Sequence, residues 1–177
     1  TLSVLQDVLD QVEWKRQELV DYRLDDKMAF RVLNEEKYAG IFQFEGYALQ
    51  SLTRQMKVHK FEEIAALTAL GRPGPLVSGG TTQYISRHTG ATPTEYLHPI
   101  VKDITEITYG IVVYQEQVME IGRHVGKLSW EDISQLRKAM SKSLGQEFFD
   151  QYWERFKLGA KENGLEESDA KRIWDNI

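Results

Sequence analysis

Arg137, Lys138 and Lys142 gather toward the end of one helical stretch. Ile133, Leu136 and Met140 recur there at helical period, so the segment is expected to bury that stripe and leave its cations outside. A cationic helix end suits a phosphate. It also suits the helix's own negative pole, so ordinary helix-end charge is the competing reading. A fourth cation, Arg72, stands in Gly71-Arg72-Pro73-Gly74-Pro75. The prolines stiffen the backbone around it, and a guanidinium offers phosphate a fork of donors that lysine lacks. A helix terminator whose arginine caps carbonyls is the plainer alternative.

Other chemistry is scarce. His59, His88, His98 and His124 include no pair at the i, i+4 spacing of helical metal ligands. The carboxylate pairs Asp25-Asp26, Glu35-Glu36, Glu62-Glu63 and Glu166-Glu167 are adjacent in sequence. Neighbours on a helix point about 100° apart, so these pairs read as solvated faces. Gly79-Gly80-Thr81-Thr82 can expose amides to an anion, although glycine pairs usually mark turns. No Gly-x-Ser-x-Gly or Walker-type loop occurs, and no catalytic residue or metal ligand is assigned.

The elements that must hold the cations are helical. Apolar period predicts helices near residues 3–19, 45–56, 61–70, 114–126, 130–141 and 146–161. Val4, Leu5, Val8, Leu9 and Val12 mark the first, and Asp25 or Asp26 can cap a short helix through Met28, Ala29, Val32 and Leu33. Residues 40–45 read as a brief extended run, and residues 91–99 as a surface loop. Tyr109-Gly110 signals a turn before the apolar entry of residues 111–114. Ser129 is placed to N-cap the cation-bearing helix, with Asp132 completing a capping box. Phe148, Phe149, Tyr152, Trp153 and Phe156 form an aromatic stripe, a core face or a docking surface. The fold class is therefore all-α, an irregular multi-helix domain with little or no sheet.

The chain's 177 residues, 41% hydrophobic and 28% charged, suit one sizeable globular domain. A net charge of −5 argues against a protein coated by nucleic acid and leaves room for a local basic face. There is no cysteine, hence no disulfide framework or thiolate zinc site. No apolar run nears the roughly 20 residues that span a bilayer. A reducing, cytoplasmic location is expected.

Four blocks carry a resemblance: Gly40-Ile41-Phe42-Gln43-Phe44-Glu45, residues 65–75, residues 108–119, and Leu136-Arg137-Lys138-Ala139-Met140. In this order and spacing they resemble the fingers region of the bacterial C-family replicative DNA polymerase, the alpha subunit of DNA polymerase III, and a phage-encoded member fits as well. The resemblance implies residues 1–19 as the end of the palm or a connecting helix, and 20–177 as a fingers domain truncated at its C-terminal end. It implies primer-template DNA, deoxynucleoside triphosphates and the rest of the polymerase chain as partners, with no membrane. It also implies magnesium in the parent, held by palm aspartates outside this chain, since Asp7, Asp10 and Asp21 do not match their motif. The fragment alone, without a cofactor of its own, is expected to lack polymerase activity.

On this reading Arg72, Arg137, Lys138 and Lys142 contact nucleotide or DNA phosphates, while Tyr114, Gln115, Glu116 and Gln117 support the site. Gln115 to Gln117 can equally serve structure, by hydrogen-bonding the Arg-Pro-Gly-Pro loop into place. Where relatives often show a second arginine and a Gly-Lys-Lys tail, this chain has Lys138 and Ser141-Lys142-Ser143. Residues 78–107 are shorter than in many of them. The alternative is a non-catalytic helical module, derived from the fingers, that binds protein or DNA.

Overall fold

The computed structural model describes residues 2–12, 21–72, 79–142 and 145–177. Ten α-helices run through them: α1 Leu2–Gln11, α2 Lys27–Asn34, α3 Tyr47–Met56, α4 Phe61–Leu70, α5 Gly80–His88, α6 Lys102–Thr105, α7 Gln115–His124, α8 Trp130–Lys142, α9 Gln146–Glu162 and α10 Glu167–Trp174. Short 3-10 turns, Pro99–Val101 and Glu106–Thr108, flank α6. No strand occurs among the described residues, so the fold is all-α. Nor is any helix of the described residues long and apolar enough to cross a membrane.

The apolar side chains condense into two clusters. The first gathers Phe30 and Leu33 of α2, Leu49, Leu52 and Met56 of α3, Leu67 and Leu70 of α4, and Tyr84 of α5. The second gathers Ile121 of α7, Ile133 and Leu136 of α8, Phe156 and Ala160 of α9, and Ile173 and Trp174 of α10. Residues 108–118 form the seam. Ile111 and Val113 pack on the first cluster, whereas Val112 between them packs on the second. Successive side chains of an extended segment point to opposite sides, so a short apolar run can serve both cores.

Local rules explain most helix boundaries. The Asp26 carboxylate accepts from the Met28 amide at 2.8 Å and starts α2. Gly164, at a φ of +79°, sits just beyond α9, where a left-handed residue ends a helix without a Cβ clash. The α9 helix needs a close approach as well. A Cβ on Gly159 would stand 2.0 Å from the Gly126 carbonyl oxygen, so glycine at this crossing lets two backbones touch.

Three expectations are corrected. Residues 40–46 are not extended but a series of turns, because the Gly40 amide donates to the Glu45 carboxylate at 3.0 Å and Gln43 takes a φ of +67°. Glu63 is not solvated: it is 4% exposed, turned inward to accept from the His59 and Lys60 amides at 2.6 and 3.1 Å. The stripe on α1 does not pack as a whole, since Leu9 is buried but Val4, Leu5, Val8 and Val12 are exposed. Residues 13–19 of the expected first helix lie outside the described residues. The aromatic stripe of α9 is core: Tyr152 and Phe156 are buried, and Phe148, Phe149 and Trp153 pack against the same cluster.

Candidate nucleotide and nucleic-acid interface

The expected site residues lie at two helix ends and along a seam. The seam begins at Tyr109, a non-glycine residue at a φ of +54°, followed by Gly110 at +77°. Such a left-handed pair needs outside support. The Arg87 guanidinium gives it, donating to the Tyr109 carbonyl at 2.8 Å and to the Glu95 carbonyl at 2.9 Å. Glu95 comes so close that a Cβ on Gly110 would lie 2.1 Å from its carbonyl oxygen. His88 adds a second anchor. Its Nδ1 pairs with the Tyr109 hydroxyl at 3.0 Å and its Nε2 with the Met56 carbonyl at 3.0 Å, while the Glu63 carboxylate lies 3.5 Å from Nδ1. Burial, with the nearby Glu63 charge adding to it, pushes the Tyr109 hydroxyl above its ordinary pKa.

From this turn the chain enters α7, whose start is organised by Gln117. Its Oε1 accepts from the Val113 and Tyr114 amides at 2.8 and 2.9 Å. Its Nε2 donates to the Ile104 carbonyl at 3.0 Å and the Thr108 hydroxyl at 2.7 Å. Gln117 is 4% exposed, and its bond to the Thr108 hydroxyl is buried. Of the four expected supporting residues, Gln117 and the half-buried Tyr114 hold the seam, while Gln115 and Glu116 are exposed on the first turn of α7. Burial raises the Tyr114 hydroxyl, and the Glu62 charge adds to the effect. The described partners of Gln117 lie within residues 104–114. Pro73, Gly74 and Pro75 are outside the described residues.

The α8 helix starts at the expected box. The Asp132 amide donates to the Ser129 hydroxyl at 3.1 Å, and the Ser129 amide donates to the Asp132 carboxylate at 3.3 Å. Asp132 also pairs with Arg155 of α9, tying the two helices. Ile133, Leu136 and Ala139 are buried, and Met140 is half-buried. Arg137, Lys138 and Lys142 are exposed, with Lys142 in the last turn. Arg72 is exposed two residues past the end of α4.

The structure thus brings Arg137, Lys138 and Lys142 onto one helix and Tyr114 and Gln117 into one network. It does not place Arg72 on the same body of helices. Arg72 follows α4 of the first cluster, whereas α8 packs on α7 and α9 of the second. Sequence reasoning missed Arg87, His88 and Glu63. Only the left-handed turn at Tyr109-Gly110 hinted that something must hold it. No three His, Asp or Glu side chains of the described residues gather to hold a metal ion.

Residues 1–164 match the family described as the bacterial DNA polymerase III alpha subunit finger domain. The chain belongs to this family. It is 36% identical over 154 residues to the DNA polymerase III subunit alpha of Aquifex aeolicus, covering 87% of this chain and 13% of that protein. It is 35% identical over 179 residues to that of Staphylococcus aureus strain COL, covering 99% of this chain and 16% of the relative. With the Helicobacter pylori subunit it shares 34% over 180 residues, 100% of this chain and 15% of the relative. The finger domain therefore spans about a seventh of the relatives it matches. All four blocks that carried the resemblance lie inside the matched residues.

Proposed function

We propose that this domain works inside a DNA-directed DNA polymerase, where its exposed cations bind the phosphates of the incoming deoxynucleotide and the primer-template. The observation that supports this best is the build of α8. Its apolar stripe and capping box lock the helix into the second cluster, and Arg137, Lys138 and Lys142 stand exposed toward its end. Phosphoryl transfer asks a protein chiefly to position the phosphates and neutralise their charge, so fixed cations on a rigid helix fit the task. Arg72 would supply a fork-shaped donor from the end of α4. Tyr114 and Gln117 hold the seam between the clusters, and Gln115 and Glu116 remain on its exposed edge.

In this reading residues 1–19 lead from the palm and residues 20–177 form the fingers. Magnesium neutralises the phosphates in the parent and is held by palm carboxylates outside this chain. On this reading the isolated chain lacks polymerase activity. The aromatic stripe that a docking module would present is interior, which favours the polymerase reading over a purely scaffolding one.

The test is the salt dependence of primer-template binding by the full-length polymerase. Removing one phosphate-binding charge should lower the slope of log K against log salt by about one. Lys138→Ala and Lys142→Ala should each do so, weakening binding evenly across sequences. Unchanged slopes in both variants would leave these lysines as solvated helix charge.

A further inference from the structure

The Leu70–Gly71 peptide group, which ends α4 just before Arg72, is held from both sides. The Gly71 amide donates to the Leu67 carbonyl at 2.9 Å, continuing the helix ladder. The Leu70 carbonyl, on the same peptide plane, accepts from the Thr81 hydroxyl of α5 at 3.0 Å, in a buried position. Thr81 is 4% exposed and Leu70 is 1% exposed. A peptide bonded at both its N–H and its C=O cannot rotate about its flanking bonds without losing one of them.

Two further features fix the same place. A Cβ on Gly71 would stand 2.7 Å from Leu49 Cδ2 and 3.2 Å from the Leu67 carbonyl oxygen, so the chain leaves α4 tight against α3. The Arg72 amide bends back to the Ala69 carbonyl at 3.4 Å. Gly79, at a φ of +82°, precedes α5 and delivers Thr81 to its first turn. Thr81 lies eleven residues after Leu70, so its hydroxyl clasps the two ends of residues 71–80 together.

We propose that Thr81 is a positioning residue for Arg72: its hydroxyl sets the Leu70–Gly71 peptide plane and hence the direction in which the arginine leaves the helix. This rests on the reading of Arg72 as a phosphate contact and adds to it a residue that never touches the substrate. An alanine or valine at position 81 keeps the helix but frees the Leu70 carbonyl. The peptide then gains rotational freedom, and the guanidinium spends less time where the phosphates are.

The experiment is a double-mutant cycle in the full-length polymerase, read by single-nucleotide incorporation well below the melting temperature. Thr81→Val and Thr81→Ala should each lower kcat/KM for the nucleotide about fivefold, the worth of one ordinary hydrogen bond, chiefly through KM. Thr81→Ser retains the hydroxyl and should restore most of it. In an Arg72→Ala background the same Thr81 changes should have no further effect on kcat/KM, because what they disorder is already gone. A merely structural role would lower kcat/KM equally in both backgrounds, and that result overturns the proposal. An effect of Arg72→Ala with none of Thr81→Val or Thr81→Ala overturns it too, while leaving the phosphate role of Arg72 intact. No effect of Arg72→Ala removes both, since Thr81 then has nothing to position.

Discussion

The Gln117 amide nitrogen donates to the Thr108 hydroxyl across 2.7 Å, in the interior, between the turn that opens the seam and the helix that closes it. Thr108 passes the interaction on by donating to the Ile111 carbonyl at 2.6 Å. With the Val113 and Tyr114 amides on its other end, Gln117 engages four groups of the irregular seam. This seam is not a regular element, so a side chain replaces the missing ladder.

Gln117→Ala therefore orphans two amides and a carbonyl at once. One unsatisfied buried group costs about 1–3 kcal/mol, and partial relaxation leaves an expected loss of about 3 kcal/mol for the set. Urea unfolding of the chain should show it as a lower midpoint at an unchanged slope. A loss under about 0.5 kcal/mol, the range of ordinary surface changes, would mean that the network is dispensable.

Gly159 is expected to tolerate nothing larger. Its Cβ would meet the Gly126 carbonyl carbon and oxygen at 2.3 and 2.0 Å and the Lys127 amide at 2.9 Å, all backbone atoms. Flexible side chains can move aside, but here α9 itself must shift away from the chain that follows α7. Gly159→Ala should cost more than the roughly 1–3 kcal/mol of ordinary overpacking. Gly145→Ala, with open space around it, meets only the strain of its φ of +85°. Melting curves that rank Gly145→Ala as the more damaging would show that the crossing is loose.

Alkaline pH should unfold the domain by way of its buried tyrosines. Burial raises the Tyr84 hydroxyl most, with Tyr109, Tyr114 and Glu63 adding to it, and burial raises Tyr109 and Tyr114 as well. An unfolded tyrosine gives up its proton near pH 10, roughly the value of a free phenol side chain, while the folded ones hold theirs. Their contribution to stability is thus complete below about pH 10 and is lost as the pH rises through the folded values. Tyr84→Phe should make the fall in stability above about pH 10 shallower. A fall of unchanged steepness would show that Tyr84 does not govern it.

Much of this fold is legible because its rules are local. The box at Ser129 and Asp132 follows from two side chains three residues apart, and α4 follows from apolar residues recurring from Phe61 to Leu70 before Gly71. The two clusters, by contrast, depend on which face each helix turns to a distant neighbour. Glu63 illustrates the limit: beside Glu62 it reads as surface, yet its carboxylate caps the start of α4 and faces His88, which stands on a different helix. Arg87 is similar, since nothing near it announces the carbonyls of Glu95 and Tyr109. The cations were legible by type and spacing, and they are exposed as that spacing implied. Their separation onto helices of different clusters was not, because it depends on tertiary packing rather than on period.

The phosphate role of the arginines is tested by single-nucleotide incorporation in the full-length polymerase with Arg137→Ala and Arg72→Ala, measured beside thermal unfolding. A charge-assisted contact made in the transition state should cost roughly 10²-fold in kcat/KM when removed, about 2.7 kcal/mol. The melting temperature should stay nearly constant, because exposed arginines add little stability. Arg137→Lys should recover only part of the loss, since lysine has no fork. Normal incorporation by both alanine variants, or slow incorporation matched by an equally large drop in melting temperature, would contradict that role.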